Sequence, residues 1–285
     1  MTKKVPLAIA YDFDGTLAPG NMQDHIFIPA IGTSKKAFWA KVRELSVEHN
    51  ADNILIYMGL MLQKADAAEV PVRKSDFKKY GKDLPLFAGV PEWFGRINEY
   101  GKLSGVRVDH YIISSGLREI IEGTEIWRKF KAIFASGFRY DSNNVAKAPA
   151  LALNYTTKTQ YLFRINKGCL EVSDHETINK WVPKDERPVP FENIVYIGDG
   201  ETDVPCFRLV KDQGGHAIAV FKPRNKTARK RCEAVLADGR VNLIAPADFT
   251  DGSRLDRVVK GIIDKLAIDA YLARLASAKQ LYAHH

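Results

Sequence analysis

The chain has 285 residues, of which 46% are hydrophobic and 27% are charged, and its formal net charge is +8. A chain of this length and composition can bury a full hydrophobic core, and it lies near the length at which one domain gains a second. No apolar run reaches the roughly 18 residues that a membrane-spanning helix needs, so we expect no membrane association.

The start of the chain, Met1-Thr2-Lys3-Lys4, carries charge but no apolar leader segment with a small-residue cleavage site. We therefore expect a cytoplasmic protein. The cysteines lie far apart, without the spacing of metal ligands, and we expect them to be reduced thiols. They are Cys169, Cys206 and Cys232.

The first predicted element is the apolar run from Leu7 to Tyr11, which is typical of a parallel strand buried on both faces. Two carboxylates, Asp12 and Asp14, follow where this strand ends, and ligands of open α/β sheets bind at the carboxyl ends of strands. Such neighbouring acids repel each other unless a cation, a shared proton or ordered donors compensate them. For the spacing alone, an exposed Asp-x-Asp-Gly turn is the favoured interpretation.

The longer string changes that interpretation. An apolar strand followed by Asp12-Phe13-Asp14-Gly15-Thr16-Leu17 resembles the first motif of the haloacid dehalogenase (HAD) superfamily, whose members are mostly Mg²⁺-dependent phosphatases and phosphotransferases. The resemblance implies that Asp12 is the nucleophile that takes the phosphoryl group as an aspartyl phosphate. It also implies that Asp14 protonates the leaving oxygen and then deprotonates the hydrolytic water. Carboxyl groups suit both tasks.

Residues 19–86 carry helical patterns and no clear strand, which predicts an all-helical insertion between the first two strands. The predicted helices are Lys35–His49, Asn53–Ala68 and Ser75–Tyr80. HAD enzymes of the phosphoserine phosphatase-like type carry a helical cap at this point. The resemblance therefore implies a cap at 19–86, which closes over the site and selects the substrate. Residues 1–18 and 87–285 then form an α/β catalytic core with a Rossmann-like parallel sheet.

A second strand is predicted at Val106–Ile113, after a helix that Pro91 opens, and it ends in Ser114-Ser115-Gly116 before a helical stretch. Hydroxyl groups and a glycine at a strand-to-helix turn can form a phosphate cradle, although the same residues are also ordinary turn residues. In register with the first motif, Ser114 matches the Ser or Thr of the second HAD motif.

A third strand is predicted at Lys131–Ala135, and Tyr140–Asn144 predicts a hairpin. The third HAD motif is a lysine near a helix start, which neutralises the phosphoryl oxygens and the nucleophile. Lys158, which enters a helix that we expect to end near Asn166, is our choice for this lysine. Lys147 and Lys167 remain alternatives because the motif has little context.

A further buried strand, Asn193–Gly198, ends in Asp199, and Asp203 follows four positions later. This string resembles the fourth HAD motif, in which the first Asp ligates Mg²⁺ and the second supports a metal-bound water or the lysine. The resemblance implies a Mg²⁺ site formed by Asp12, Asp199 and the backbone carbonyl of Asp14, with Asp203 behind them. Hard oxygen ligands of this kind are those that Mg²⁺ prefers.

The remainder completes the α/β alternation, with strands at His216–Phe221 and Val241–Ile244 and one or two helices over Leu255–Leu281. Six basic residues concentrate between the two strands: Lys222, Arg224, Lys226, Arg229, Lys230 and Arg231. No aromatic side chains interleave with them, so a solvated helix face is favoured over contact with nucleic acid. No histidine has ligand spacing, and we expect His25, His49, His110, His175 and His216 to be structural or exposed.

The sequence departs from phosphoserine phosphatases at two positions. Thr202 stands where their last motif usually has Asn, and Asn21 stands where their cap offers a Glu for the substrate ammonium group. Phosphoserine is therefore not favoured. The main hypothesis is a Mg²⁺-dependent hydrolase of a small phosphorylated metabolite. The alternatives are a phosphotransferase or mutase on the same fold, and a non-catalytic binding protein.

Overall fold

The computed structural model describes residues 4–282, without the side chains of Glu201 and of residues 277–282. Within these residues, seven strands form one sheet in the order β4-β3-β2-β1-β5-β6-β7. The strands are β1 Val5–Tyr11, β2 Val106–Leu117, β3 Ala132–Tyr140, β4 Ala146–Leu151, β5 Ile194–Gly198, β6 His216–Phe221 and β7 Leu243–Pro246. Edge strand β4 pairs antiparallel with β3, and all other pairs are parallel. This sheet confirms the predicted Rossmann-like α/β core.

Helices in the described residues cover both faces of the sheet and fill the segment between β1 and β2. They are α1 Phe27–Ala30, α2 Lys35–Glu48, α3 Asn53–Ala67, α4 Lys74–Lys82, α5 Val90–Leu103, α6 Arg118–Ile121, α7 Lys158–Lys167, α8 His175–Asn179, α9 Val204–Asp212, α10 Lys226–Ala237 and α11 Arg254–Tyr282. None of them combines the length and apolarity needed to cross a bilayer.

Strand β1 is apolar on both faces because each face is covered. Its larger residues, Leu7, Ile9 and Tyr11, belong to the core that contains the inner faces of α5 and α11. The small residues Ala8 and Ala10 belong to the opposite core, which contains the inner faces of α7, α9 and α10. A strand covered on both sides has no polar face to show, which explains the continuous apolar run in the sequence.

The order of the strands places a crevice beside the end of β1. From β1 the chain moves outward through β2 and β3 to β4, and then returns to β5 on the other side of β1. Ligands of open α/β sheets bind at such a reversal, at the carboxyl ends of the strands. The backbone N–H of Asp12 donates to the carbonyl of Ile197 at 2.9 Å, so the ends of β1 and β5 are held side by side.

Residues 19–86, which we call the helical insertion, lie between β1 and β2 and contain α1 to α4. Its two longest helices begin at capped positions. Ser34 accepts from the N–H of Ala37, and Asp52 accepts from the N–H groups of Ile54 and Leu55. The insertion also packs on the sheet, because Phe77 stacks on Phe138 of β3 at a centroid distance of 5.3 Å.

Several predicted boundaries were wrong. Strand β2 continues past Ile113 to Leu117, since Leu117 pairs with Ser136 of β3 after an irregularity that begins at Ser114. The helix that follows has only four residues. Strand β3 likewise extends beyond Ala135, because the predicted hairpin gives it an antiparallel partner, β4. The last strand begins at Leu243 instead of Val241. The C-terminal segment, predicted to form one or two helices, is a single helix in the described residues.

Candidate active site

A buried lysine lies between two of the predicted acidic residues. Lys158 begins α7, and its side chain is 1% exposed. Its Nζ lies 3.1 Å from Oδ1 of Asp12 and 2.8 Å from Oδ1 of Asp203. Burial alone would lower the pKa of this ammonium group, but the two carboxylates outweigh burial and raise the pKa above its ordinary value. Lys158 is therefore charged and holds the two acids together.

The other two candidate lysines lie elsewhere. Lys147 is on β4, and its Nζ lies 3.2 Å from the carboxylate of Asp141 in the hairpin. Lys167 ends α7 and donates from Nζ to the carbonyl groups of Ile178 and Lys180, each at 2.7 Å. The structure thus brings Lys158, and neither alternative, to the acidic residues that follow β1 and β5.

Asp203 is held by three donors, which leaves both of its oxygens occupied. Oδ1 accepts from Lys158 and from the hydroxyl of Tyr196 at 2.7 Å, and Oδ2 accepts from the N–H of Asp199 at 3.1 Å. A Cβ at Gly198 would lie 2.4 Å from Oδ2 of Asp203, so only glycine allows this approach. Through these contacts, Asp203 fixes the positions of Lys158 and of the loop that carries Asp199.

Three carboxyl groups at the site are destabilised as anions. Burial raises the pKa of Asp12 to about 6 against the pull of Lys158. Burial, followed by the charge of Asp12, raises the pKa of Asp14 well above its ordinary value. Burial and then Asp203 and Asp12 do the same for Asp199. The one lysine does not compensate all of this negative charge, so the site favours an additional cation.

The carboxylates fit a divalent cation such as Mg²⁺. One ligand oxygen from each of Asp12, Asp199 and Asp203 lies within 4.8 Å of the others. Among the described residues, no side chain and no backbone group of another residue donates a hydrogen bond to the carboxylate of Asp199. A Cβ at Gly15, whose φ is +76°, would lie 2.0 Å from Oδ2 of Asp199. Donors occupy both oxygens of Asp203 but only Oδ1 of Asp12, so Oδ2 of Asp12 and the carboxylate of Asp199 are the better hard oxygen ligands.

The predicted phosphate-binding segment lies beside these acids. Ser114 is fully buried at the end of the regular part of β2, and its Oγ accepts from the N–H of Gly116 at 3.0 Å. This acceptance leaves the hydroxyl proton of Ser114 available to a ligand. Asp14 accepts from the N–H of Met22 at 2.9 Å, which ties the start of the helical insertion to the site.

A cavity of about 500 Å³ is lined by Asp12, Asp14, Asp199, Lys158 and Ser114 but not by Asp203. Ser115 and Gly116 line it from the core, with the acids and Lys158. The helical insertion contributes uncharged side chains: Asn21, Gln23, Trp39, Asn53, Ile54 and Tyr57. Two basic residues, Lys222 after β6 and Arg231 on α10, also line it.

Sequence reasoning missed some of the residues that organise the site. Tyr57 donates from its hydroxyl to the carbonyl of Ser115 at 2.8 Å, and Asn154 donates to the carboxylate of Asp52 at 2.7 Å, so both join the helical insertion to the core. The strand pattern of the sequence marks Tyr196 only as an apolar strand residue. An aromatic residue with a hydroxyl three positions before Asp199 was the available signal, because a buried Tyr hydroxyl needs a partner.

Comparison with known proteins gives the family and the fold. A model of the haloacid dehalogenase-like hydrolase family matches residues 9–208. A protein of Borreliella burgdorferi described as uncharacterized is 29% identical over 277 residues, which cover 87% of this chain and 93% of that one.

Two solved structures share the fold. One is a phospho-aspartyl intermediate analogue of phosphoserine phosphatase, with a TM-score of 0.51 and 16% identity, covering 90% of this chain and 99% of that one. The other is cytosolic 5'-nucleotidase IIIB bound to cytidine, with a TM-score of 0.52 and 14% identity, covering 91% of this chain and 85% of that one.

Proposed function

The chain belongs to the haloacid dehalogenase-like hydrolase family, and we propose that it is a Mg²⁺-dependent phosphatase that hydrolyses a small phosphomonoester through an aspartyl phosphate. The observation that carries this proposal is the position of Asp12. Its carboxylate lines the cavity, 3.1 Å from the Nζ of Lys158 and beside the carboxylate of Asp199. An anionic nucleophile can meet an anionic phosphate only where positive charge of this kind is fixed in advance.

In the first step, a carboxylate oxygen of Asp12 attacks phosphorus, and the bond from phosphorus to the ester oxygen breaks. Asp14 gives its proton to that leaving oxygen. The raised pKa of Asp14, which arises from burial and then from the charge of Asp12, supplies the protonated carboxyl group that this role needs. Ser114 and Lys158 hold the phosphoryl oxygens, the former through its free hydroxyl proton and the latter through its charge.

In the second step, Asp14 is a carboxylate and accepts a proton from water as that water attacks the aspartyl phosphate. The bond from phosphorus to Asp12 breaks, which restores the Asp12 carboxylate and the Asp14 carboxyl group and releases inorganic phosphate. Ser115 and Gly116, which line the cavity beside Ser114, complete the cradle for the phosphoryl group. Lys158 remains charged throughout, since Asp203 holds it in place at 2.8 Å.

Asp12, Asp199 and the backbone carbonyl of Asp14 would hold Mg²⁺, and Asp203 would act behind them. When bound, the ion would neutralise charge on the phosphoryl oxygens and on the carboxylates. The proposal is supported by the carboxylate of Asp199, which lies within 4.8 Å of a carboxylate oxygen of Asp12. It is also supported by the raised pKa values of Asp12, Asp14 and Asp199, each caused first by burial.

We assign the helical insertion, residues 19–86, as a cap of the phosphoserine phosphatase-like type, inserted into a core formed by residues 1–18 and 87–285. The hydrogen bonds from Tyr57 to Ser115 and from Asn154 to Asp52 support this assignment, because both can break and re-form as a cap opens and closes. The substrate is a small phosphorylated metabolite other than phosphoserine, since Asn21 cannot pair with an ammonium group as a Glu would. The predicted cytoplasmic location stays a prediction.

The test is hydrolysis of 4-nitrophenyl phosphate with and without Mg²⁺, by the wild type and by Asp12→Asn. Asn keeps the size of the side chain but removes its nucleophilic charge. We expect Mg²⁺-dependent turnover that falls by about a thousandfold or more in the variant. Asp66→Asn, on the exposed side of α3, is the matched control and should retain full activity.

Turnover that survives in Asp12→Asn would refute the covalent mechanism. Release of the phosphoryl group to an added alcohol in preference to water would instead identify a phosphotransferase. If neither wild type nor variant acts on the aryl phosphate or on a panel of phosphorylated metabolites, the phosphatase proposal fails and a binding role replaces it.

A further inference from the structure

Among the described residues, the charged side chains that line the outer part of the cavity are basic. Away from the acids and Lys158, the charged side chains that line it are Lys222 and Arg231. Lys222 directly follows β6, two strands from β1, where parallel strands present their carboxyl ends to the site. Arg231 lies on α10, on the side of the helix that also presents Asn225 and Ala228 to the cavity, at intervals of three residues.

Neither of these two cations has an acidic partner within the described part of the chain. Other basic residues of the same segment behave differently. Arg229, two positions before Arg231, pairs with Glu233 at 2.8 Å on the outer surface of α10. The two cations do not pair with Asp199 either. The cation that lowers the pKa of Asp199 most is Lys158. Lys222 and Arg231 are therefore free to bind a ligand.

The helical insertion offers no countercharge. Its described side chains at the cavity are amides, aromatic rings and an aliphatic chain, and none of them is a carboxylate. Among the described side chains, a substrate with an ammonium group would meet only positive charge beyond the phosphate site. A volume of about 500 Å³ is also much larger than one phosphoryl group requires, and is typical of sites that hold a whole metabolite.

We propose that the substrate carries a second anionic group, a phosphate or a carboxylate remote from the phosphoryl group that is removed, and that Lys222 and Arg231 bind it. This inference rests on the proposed phosphatase function and deepens it. Arg231 can make two parallel hydrogen bonds to either kind of anion, whereas Lys222 acts as a point charge. The two residues thus select for charge in the body of the substrate, while Asp12 performs the chemistry at the other end.

The test compares substrates in pairs that differ only in the second anion. Fructose 1,6-bisphosphate against fructose 6-phosphate tests a second phosphate, and 3-phosphoglycerate against glycerol 3-phosphate tests a carboxylate. We expect kcat/KM to be at least about tenfold higher for the member of one pair that carries two anionic groups, which corresponds to about 1.4 kcal/mol. The pair that shows the preference identifies the kind of anion.

The variants Lys222→Gln and Arg231→Gln should each reduce this preference by about tenfold, mainly through KM. The matched control is Lys230→Gln, which removes the same charge from the same helix at an exposed position that does not line the cavity. This control should keep the full preference. Because Lys222 and Arg231 are exposed, loss of folding does not complicate the comparison.

Binding to the non-hydrolysing variant Asp12→Asn, measured by calorimetry with the same pairs, gives a readout that does not need turnover. Turnover of 4-nitrophenyl phosphate without any preference within the pairs would overturn this inference and leave the phosphatase proposal intact. Equal weakening of both members of a pair by Arg231→Gln would also overturn it. If no substrate is turned over but the compounds with two anionic groups still bind preferentially, the phosphatase proposal alone is overturned.

Discussion

Lys158 is enclosed by protein, so its ammonium group neutralises Asp12 and Asp203 where water cannot. Lys158→Met would leave two carboxylates facing each other without a cation. We expect a loss of about 3–5 kcal/mol in the free energy of unfolding at pH 8. At pH 5 the loss should be smaller, because the pKa of Asp12, already about 6 through burial, would rise further and the carboxyl group would accept a proton. Urea unfolding at both pH values measures this.

Lys147→Met is the matched control for this prediction. Lys147 pairs with Asp141 at the partly exposed hairpin, so the variant should lose less than about 1 kcal/mol at either pH. A Lys158→Met protein as stable as the wild type at pH 8 would contradict the role of Lys158 as the neutralising charge. Such a result would mean that the two acids already share a proton in the absence of ligands.

His110 is a buried histidine that serves the fold instead of the chemistry. Its Nδ1 accepts from the hydroxyl of Tyr11 at 2.9 Å, and its Nε2 lies 3.0 Å from the amide oxygen of Asn98, to which it donates. Trp93 in turn donates to Tyr11 at 2.8 Å. The chain of bonds requires the neutral ring, and burial lowers the pKa of His110 to about 3.

This network predicts an acid-sensitive contribution to stability. The unfolded chain takes up a proton on the imidazole near pH 6.5, whereas the folded chain does so only near pH 3, so stability is complete above pH 6.5 and falls as the pH drops between these values. The slope is about 1.4 kcal/mol per pH unit. His110→Gln should be less stable than the wild type at pH 7.5, and the difference should shrink by pH 5. A difference independent of pH would contradict the neutral buried ring.

At the scale of elements, α3 contacts the phosphate-binding segment through the hydroxyl of Tyr57. Tyr57→Phe removes the donor and leaves the carbonyl of Ser115 without it, which costs about 1 kcal/mol of stability. We expect a several-fold increase in KM and faster amide hydrogen exchange at Gly116. Tyr80→Phe on α4 is the control, since its hydroxyl has no hydrogen bond among the described residues. Unchanged exchange at Gly116 would show that α3 does not order this segment.

The sequence predicted most of the elements, because their signals are local. Ser34 and Asp52 cap helices whose first residues carry the expected pattern, and β1 and β5 are short apolar runs that end in Asp. Boundaries that depend on a neighbour were missed. Strand β2 continues to Leu117 only because Ser136 of β3 pairs with it, and no property of Ser114-Ser115-Gly116 alone indicates this partner.

At the scale of the whole molecule, the site residues that the motifs mark are brought together by the strand order, in which β1 lies between β2 and β5. Lys158 was distinguished from Lys147 and Lys167 only by its position at a helix start. For Lys222 and Arg231, the sequence pattern favours a solvated helix face. Their place in the cavity depends on where β6 and α10 lie relative to β1, which no local pattern in the sequence specifies.

Mg²⁺ should stabilise the whole chain, because Asp12, Asp14 and Asp199 are forced together by the fold and their pKa values are raised, first by burial. At a Mg²⁺ concentration of about 100 times Kd, the expected gain is about 2.7 kcal/mol. This gain should raise the Tm by several degrees over that in a chelator. Asp199→Asn should raise the Tm without Mg²⁺, because one repelling charge is gone, and should abolish most of the response to Mg²⁺.

The choice of Asn at position 199 matters for this last prediction, because the side chain lies against Gly15 and tolerates no larger group. Asp66→Asn, which removes an exposed charge on α3 that does not line the cavity, should leave both the Tm and its response to Mg²⁺ unchanged. Thermal unfolding of the three proteins, each with chelator and with Mg²⁺, measures all of these differences. A full Mg²⁺ response in Asp199→Asn would show that Asp199 does not ligate the ion.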